Sequence, residues 1–292
     1  MGAATGIGWT DHTFNPWWGC ERVSPGCQHC YAETLANRFG HGWGKSAPRR
    51  FFGPKHWAEP IAWNAAAERA GRPALVFCAS MADAFEDRPD LVEPRLQLFD
   101  LIDRTPWLRW QLLTKRPANV LSMVPREWFG RFPANVWIGT TAEDQQRADE
   151  RIAELVRIPA VVRFVSCEPL LAPLDLSAWL PARFDPDVAF RTDGTGWVFD
   201  PRPSGVSWVI VGGESGPNFR PMVPGHASYV CAQVRAARVP LFFKQWGGLR
   251  PAEAGAEINL GAGPRLYQSF PPEANRYSYH VFTATPRKKA HR

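Results

Sequence analysis

The stretch NVWIGTTAEDQQRADERIAELVRIPAVVRFVSC, residues 135–167, sets two short apolar, β-branched runs, NVWIGTT (135–141) and VVRFVSC (161–167), around a well-patterned amphipathic segment at 143–157. Strand, helix, strand in that order is a βαβ unit, and its two strands lie parallel. Working outward, the alternation recurs. Further strands are expected at HTFNPWW (12–18), ALVFCAS (74–80), RWQLLT (109–114), SWVIVGG (207–213) and VPLFFKQ (239–245), with further helices at 28–39, about 60–70, 90–104, 117–129 and 225–238. Seven strands joined by right-handed crossovers predict an α/β fold, a partial TIM-type (βα)6 barrel with an additional C-terminal strand and loop-rich insertions. A doubly wound open sheet is the alternative. The expected barrel covers 1–245 with insertions at 40–59 and 177–206, followed by an extension over 246–292 with a basic tail, PRKKAHR (286–292).

Composition bounds the class. The 292 residues are 45% hydrophobic and 21% charged, as in a globular protein, and 28 prolines with 24 glycines imply long ordered loops. The opening MGAATGIGWTDH lacks the charged start and apolar core of a secretory signal. No apolar run approaches the roughly 20 residues of a membrane span, so a cytoplasmic location without membrane contact is expected. In that reducing compartment the six cysteines are poor disulfide candidates. The net charge of +6, with basic groups in 45–57, 114–117 and 286–292, favours a polyanionic partner, against the plainer reading of a solvated basic surface.

In parallel α/β architectures the active site forms at the carboxyl ends of the strands. Those ends read CASMAD (Asp83), TKRP (Lys115, Arg116), TTAED (Thr140, Thr141, Glu143), SCEP (Ser166, Cys167, Glu168), GGESG (Glu214, Ser215) and KQWGG (Lys244, Gln245). Each alone is explained by a helix cap or a tight turn. Together they would ring one polar mouth.

WWGCERVSPGCQHCYAE (17–33) sets Cys20, Cys27 and Cys30 in a C-x6-C-x2-C pattern with no fourth cysteine nearby. Cys27 and Cys30 share a face if the segment opens a helix, and SPG before Cys27 supplies a turn that folds Cys20 back onto them. Structural zinc takes four protein ligands, and His12, His29 or His41 could complete such a site. A 4Fe-4S cluster usually has four cysteine ligands, so three leave one iron open.

The order of strand HTFNPWW, cysteine loop, helix and further βα units resembles the radical S-adenosylmethionine (SAM) superfamily over residues 12–245. More narrowly, GWTDHTFNPWWGC with SPGCQHCYAE looks like a phage and bacterial family of three-cysteine proteins of unknown function. The resemblance implies that Cys20, Cys27 and Cys30 bind a 4Fe-4S cluster whose fourth iron is chelated by SAM. It further implies that one electron, from a donor such as flavodoxin or ferredoxin, cleaves SAM to methionine and a 5′-deoxyadenosyl radical that abstracts a substrate hydrogen. The loop departs from the superfamily's common C-x3-C-x2-C by three extra residues before Cys27. The position before the last cysteine, aromatic and near the adenine in the common pattern, is His29 here, with Tyr31 adjacent. The GGE that contacts the SAM amino group after the second strand is replaced by SMAD (80–83), which places Ser80 and Asp83 near SAM; the literal GGE at 212–214 comes too late for that role and leaves Glu214 as a general site residue. Thr140 and Glu143 complete the expected cofactor set.

Fourteen tryptophans are a high number, and Trp43 and Trp57 lie around Arg49, Arg50 and Lys55. Aromatic rings between cations suit unstacked nucleobases, at about 1–3 kcal/mol per stacked base, although a core position is the commoner explanation of any one tryptophan. The expected partner is nucleic acid, DNA foremost, with Arg49, Arg50, Lys55, Lys115 and Arg116 on phosphates. The logic is similar to that of spore photoproduct lyase, in which a cysteine thiol returns hydrogen to the product radical; Cys167 in SCEP is the first choice for that donor and Cys78 the second. A damaged or single-stranded base costs least to extrude toward such a site. DNA photolesion repair, a lyase-type reaction, is therefore the leading expectation. Radical modification of a nucleotide, RNA or peptide is the second, and a non-catalytic, zinc-stabilised nucleic-acid-binding protein is the third.

Overall fold

The structure, a computed structural model, describes residues 5–181, 205–250 and 253–274. Its first half runs β1 (His12–Thr13), β2 (Trp17–Trp18), α1 (Tyr31–Arg38), β3 (Arg50–Phe51), α2 (Pro54–Trp57), α3 (Glu59–Arg69), β4 (Ala74–Cys78), α4 (Val92–Asp103) and β5 (Leu108–Thr114). Then follow α5 (Val120–Met123), α6 (Glu127–Gly130), β6 (Val136–Thr141), α7 (Gln145–Leu155), β7 (Val162–Cys167), β8 (Trp208–Gly212), α8 (Pro224–Ala236), β9 (Leu241–Gln245) and a small hairpin, β10 (Glu257–Asn259) and β11 (Pro264–Leu266). Prolines divide two expected elements. Pro16 lacks the N–H that a ladder needs, so within 12–18 only β1 joins the main sheet, while β2 pairs antiparallel with β3 in the 40–59 insertion. Pro125 likewise separates α5 from α6 within the single helix expected at 117–129. Most of the 177–206 insertion and all of the basic tail fall outside the described residues.

The α/β class stands, but the (βα)6 barrel is corrected. The seven main strands form one parallel sheet in the order β1-β4-β5-β6-β7-β8-β9, a curled half barrel whose first and last strands do not pair. Two features keep it open. β1 offers an edge of only two residues, and the outer edge of β9 is taken by the segment after β11, where the Phe243 N–H donates to Tyr267 O at 2.6 Å and the Ser269 N–H to Leu241 O at 2.9 Å.

Alternation along the strands sorts the core into two layers. Outward-facing Val76, Cys78, Trp110, Leu112, Ile138, Val165, Cys167 and Val209 pack against the helices. Inward-facing Phe77, Trp137, Phe164, Trp208 and Phe242 fill the hollow with Trp9, and Phe270 and Ala274 join them from the C-terminal segment. Trp208 is tied in place by its indole N–H, which donates to Ser269 O at 3.0 Å. Gly139 makes room for this packing, because a Cβ there would meet the ring of its register partner Phe164 at 2.3 Å. Among the described residues no helix is long and apolar enough to cross a membrane.

Candidate functional site

The hollow is filled at one end and open at the other. At the carboxyl ends of the strands lies a cavity of about 410 Å³, within the usual size of small-molecule sites. All six polar strand ends contribute to its wall, through Asp83, Lys115 and Arg116, Thr141, Glu168, Glu214 and Lys244. Cys20, Cys27 and Cys30 line the same wall, as do His29, Tyr31 and Ser80.

The cysteine loop reaches this place because it is pinned at several points. Gly19 starts it with φ +115°, a left-handed conformation suited to glycine, and donates its N–H to Met81 O at 3.0 Å. A single 3-10 turn over Pro25–Cys27 follows, and Cys30 stands at the N-cap of α1. From the β6–α7 connection, Glu143 Oε1 accepts the Gly26 N–H at 3.2 Å, while Arg151 Nη1 donates to Glu143 Oε2 at 2.8 Å and to Thr141 O at 2.9 Å. Burial alone would raise the Glu143 pKa, but Arg151 and hydrogen bonds from the loop bring it below its usual value. From the β8–α8 connection, Arg220 donates to Pro25 O at 3.0 Å and is itself held by Glu214, which accepts its backbone N–H at 2.8 Å and its Nε–H at 2.9 Å. Glu214 also meets His29 Nδ1 at 3.1 Å, and despite burial these contacts hold its carboxyl below the usual range.

Asp83 organises the opposite side. Its carboxylate accepts from Thr114 Oγ1 at 2.7 Å, Phe85 N at 3.0 Å, Lys115 N at 3.1 Å and Arg116 Nη1 at 2.8 Å. Arg116 in turn donates to the Cys20 sulfur at 3.8 Å and to Glu21 O at 3.2 Å. Burial, with Asp83 adding to it, pushes the Cys20 thiol up to about 12 against the lowering effect of Arg116. Ser80 accepts from Asn15 Nδ2 at 3.0 Å, and its carbonyl accepts from Tyr31 OH at 2.9 Å.

Several expected site residues lie elsewhere. Cys78 and Cys167 are fully buried on the outward face of the sheet, among the helices, and burial raises both thiol pKa values. Neither lines the cavity, because each occupies the wrong parity of its strand. Thr140 is buried one residue before the cavity-lining Thr141, its hydroxyl donating to Thr114 O at 2.8 Å. Glu143 is a clasp on the loop and does not line the cavity wall. Arg49, expected on phosphate, is 4% exposed and paired with Glu86, with Nε 3.1 Å from Oε2. Arg50 and Lys55 are exposed on the insertion, Arg50 lying over the rings of Trp18 at 4.8 Å and Phe52 at 5.2 Å. The sequence reading missed Asn15, Arg151 and Arg220. The signals that could have found two of these pairings were the six-residue separation of Arg220 from Glu214 and the eight-residue spacing of Arg151 from Glu143, which share a face of the expected helix.

The six cysteines form no disulfide. No three His, Cys, Asp or Glu side chains among the described residues converge as ligands of a single metal ion. The donor set, three thiols on one cavity wall without a fourth, suits a group whose ligands each take a different metal atom, as in a 4Fe-4S cluster, with one iron left free.

A family model described as "Protein of unknown function (DUF5131)" matches residues 4–289. The chain belongs to this family. No curated protein and no solved structure matches this DUF5131 chain at a significant level. The cysteine loop, all the strand ends and both arginine clasps fall within the DUF5131 match.

Proposed function

We propose that the protein is a radical SAM enzyme. The observation that carries the reading is the delivery of Cys20, Cys27 and Cys30, with no fourth cysteine, to the wall of the strand-end cavity. These three residues would hold a 4Fe-4S cluster, and Ser80, Asp83, His29 and Tyr31, which line the same cavity, would orient SAM. Once bound and reduced by a donor such as flavodoxin or ferredoxin, the pair supplies a radical able to take hydrogen from an unactivated carbon. The chain's own contribution is geometric: the hollow excludes water below the cavity, and the clasps at Glu143 and Glu214 fix the loop before substrate arrives.

Nucleic acid is the proposed substrate class, supported by the net charge of +6 and by exposed Arg50 and Lys55 beside the aromatic insertion. Reversal of a DNA photolesion remains the specific reaction proposed; because Cys167 and Cys78 are sealed behind the sheet, the hydrogen taken from the lesion would be returned to the product radical by 5′-deoxyadenosine and not by a thiol. Anaerobic purification followed by iron, sulfide and zinc analysis, with electron paramagnetic resonance of the reduced protein, tests the class. About four irons and four sulfides per chain, with a signal that changes on adding SAM, is the expected result. One zinc and no visible absorbance would overturn it. Irradiated DNA left unchanged by the iron-loaded enzyme with SAM and reductant would remove the photolesion claim alone.

A further inference from the structure

The strand-end carboxylates in the cavity wall already have cations. Asp83 holds Arg116 at 2.8 Å, Glu168 holds Lys244, and Glu214 holds Arg220. Lys115 lines the same cavity, half-buried, and differs from these. Among the described residues no carboxylate oxygen comes within 4.0 Å of its ammonium. The polar contact it makes is with the Thr141 hydroxyl, 3.4 Å away. Its charge is felt by Glu143, but that carboxylate is occupied by Arg151 and Gly26.

A cation withdrawn from water without a counter-ion is unfavourable, and the same surroundings strengthen its attraction to any anion that arrives. We infer that Lys115, with the Thr141 hydroxyl beside it, anchors a carboxylate or phosphate group of the ligand that fills the cavity. An ammonium is a compact charge with three donors and suits either anion, while the neighbouring hydroxyl can donate to the same group. Arg116 cannot take this part, because its guanidinium is engaged by Asp83, Cys20 and Glu21. The anion has two sources: the carboxylate of an adenosyl amino acid, which rests on the function proposed above, or the phosphate of a nucleotide, which does not depend on it.

Calorimetric titration of the full chain, purified anaerobically, separates the two. The ligands are S-adenosylhomocysteine against methylthioadenosine, which lacks the amino-acid group, and thymidine monophosphate against thymidine. Lys115→Met is expected to weaken the charged member of one pair about tenfold and to leave its uncharged counterpart unchanged, while Lys115→Arg keeps most of the preference. Loss within the first pair assigns the adenosyl carboxylate, and loss within the second assigns the phosphate. The inference is overturned if the wild-type protein prefers neither charged ligand, or if Lys115→Met retains the preference. Iron analysis of the same sample keeps the two claims apart. Protein without iron that still binds thymidine monophosphate through Lys115 removes the radical SAM reading alone; iron-loaded protein indifferent to Lys115 removes this inference alone.

Discussion

At the scale of single residues, the site depends on carboxylates that hold arginines, which in turn hold the cysteine loop. Asp83 is fixed by four donors, and the Arg116 it grips spans Cys20 and Glu21. Arg116→Met is therefore expected to lower iron per chain after reconstitution while leaving the circular dichroism spectrum unchanged, and full iron retention would refute the link. Glu143 yields a pH prediction. Its folded-state pKa lies below the ordinary 4.5, so on acidification the unfolded chain binds this proton first. The stability it confers is fully present above about pH 4.5 and fades as pH falls through the depressed value. Glu143→Gln, which has no charge to lose, should be less stable than wild type at neutral pH and should lose less stability below pH 4.5, as read from urea midpoints across the range. Identical pH profiles for the two proteins would show that the clasp contributes nothing.

At the scale of the elements, the strand ends were legible and the strand faces were not. Composition and alternation located all seven main strands, because a buried parallel strand reads as a short apolar run whatever its register. The polar residues that follow each run then had to lie at one end of the sheet. Which alternate residues face the hollow turns on a shift of one position, and that is why Cys167 could be taken for a mouth residue when it packs among helices. The pairing of cavity charges was equally hidden, since Asp83 and Arg116, or Glu168 and Lys244, meet only through the strand order. Gly139 tests the inward layer. Because a Cβ there would press on the Phe164 ring, Gly139→Ala should cost about 1–3 kcal/mol in urea unfolding. A neutral substitution would mean that the ring moves aside freely.

At the scale of the whole molecule, the sequence pointed to a barrel because strand order and crossover hand are the same for a closed and an open curl. Closure is decided by whether the first and last edges meet, and here a two-residue edge and the segment after β11 keep them apart. Trp208, Phe242 and Phe270 pack together where that segment enters the hollow. Truncation after Leu266 is thus expected to expose aromatic surface and raise dye binding, and an unaltered melting curve would contradict this. The sheet also divides the thiols. Cys78, Cys167 and Cys231 are 0% exposed among the helices, whereas Cys20, Cys27 and Cys30 line the cavity. An alkylating reagent applied to the native protein should therefore reach the cavity-lining loop thiols, Cys20 more slowly because burial holds its thiol up to about 12, and spare the rest, which become reactive only when the helices leave the sheet. The molecule thereby carries two footprints in one mass spectrum, one reporting occupancy of the loop and the other the opening of the core.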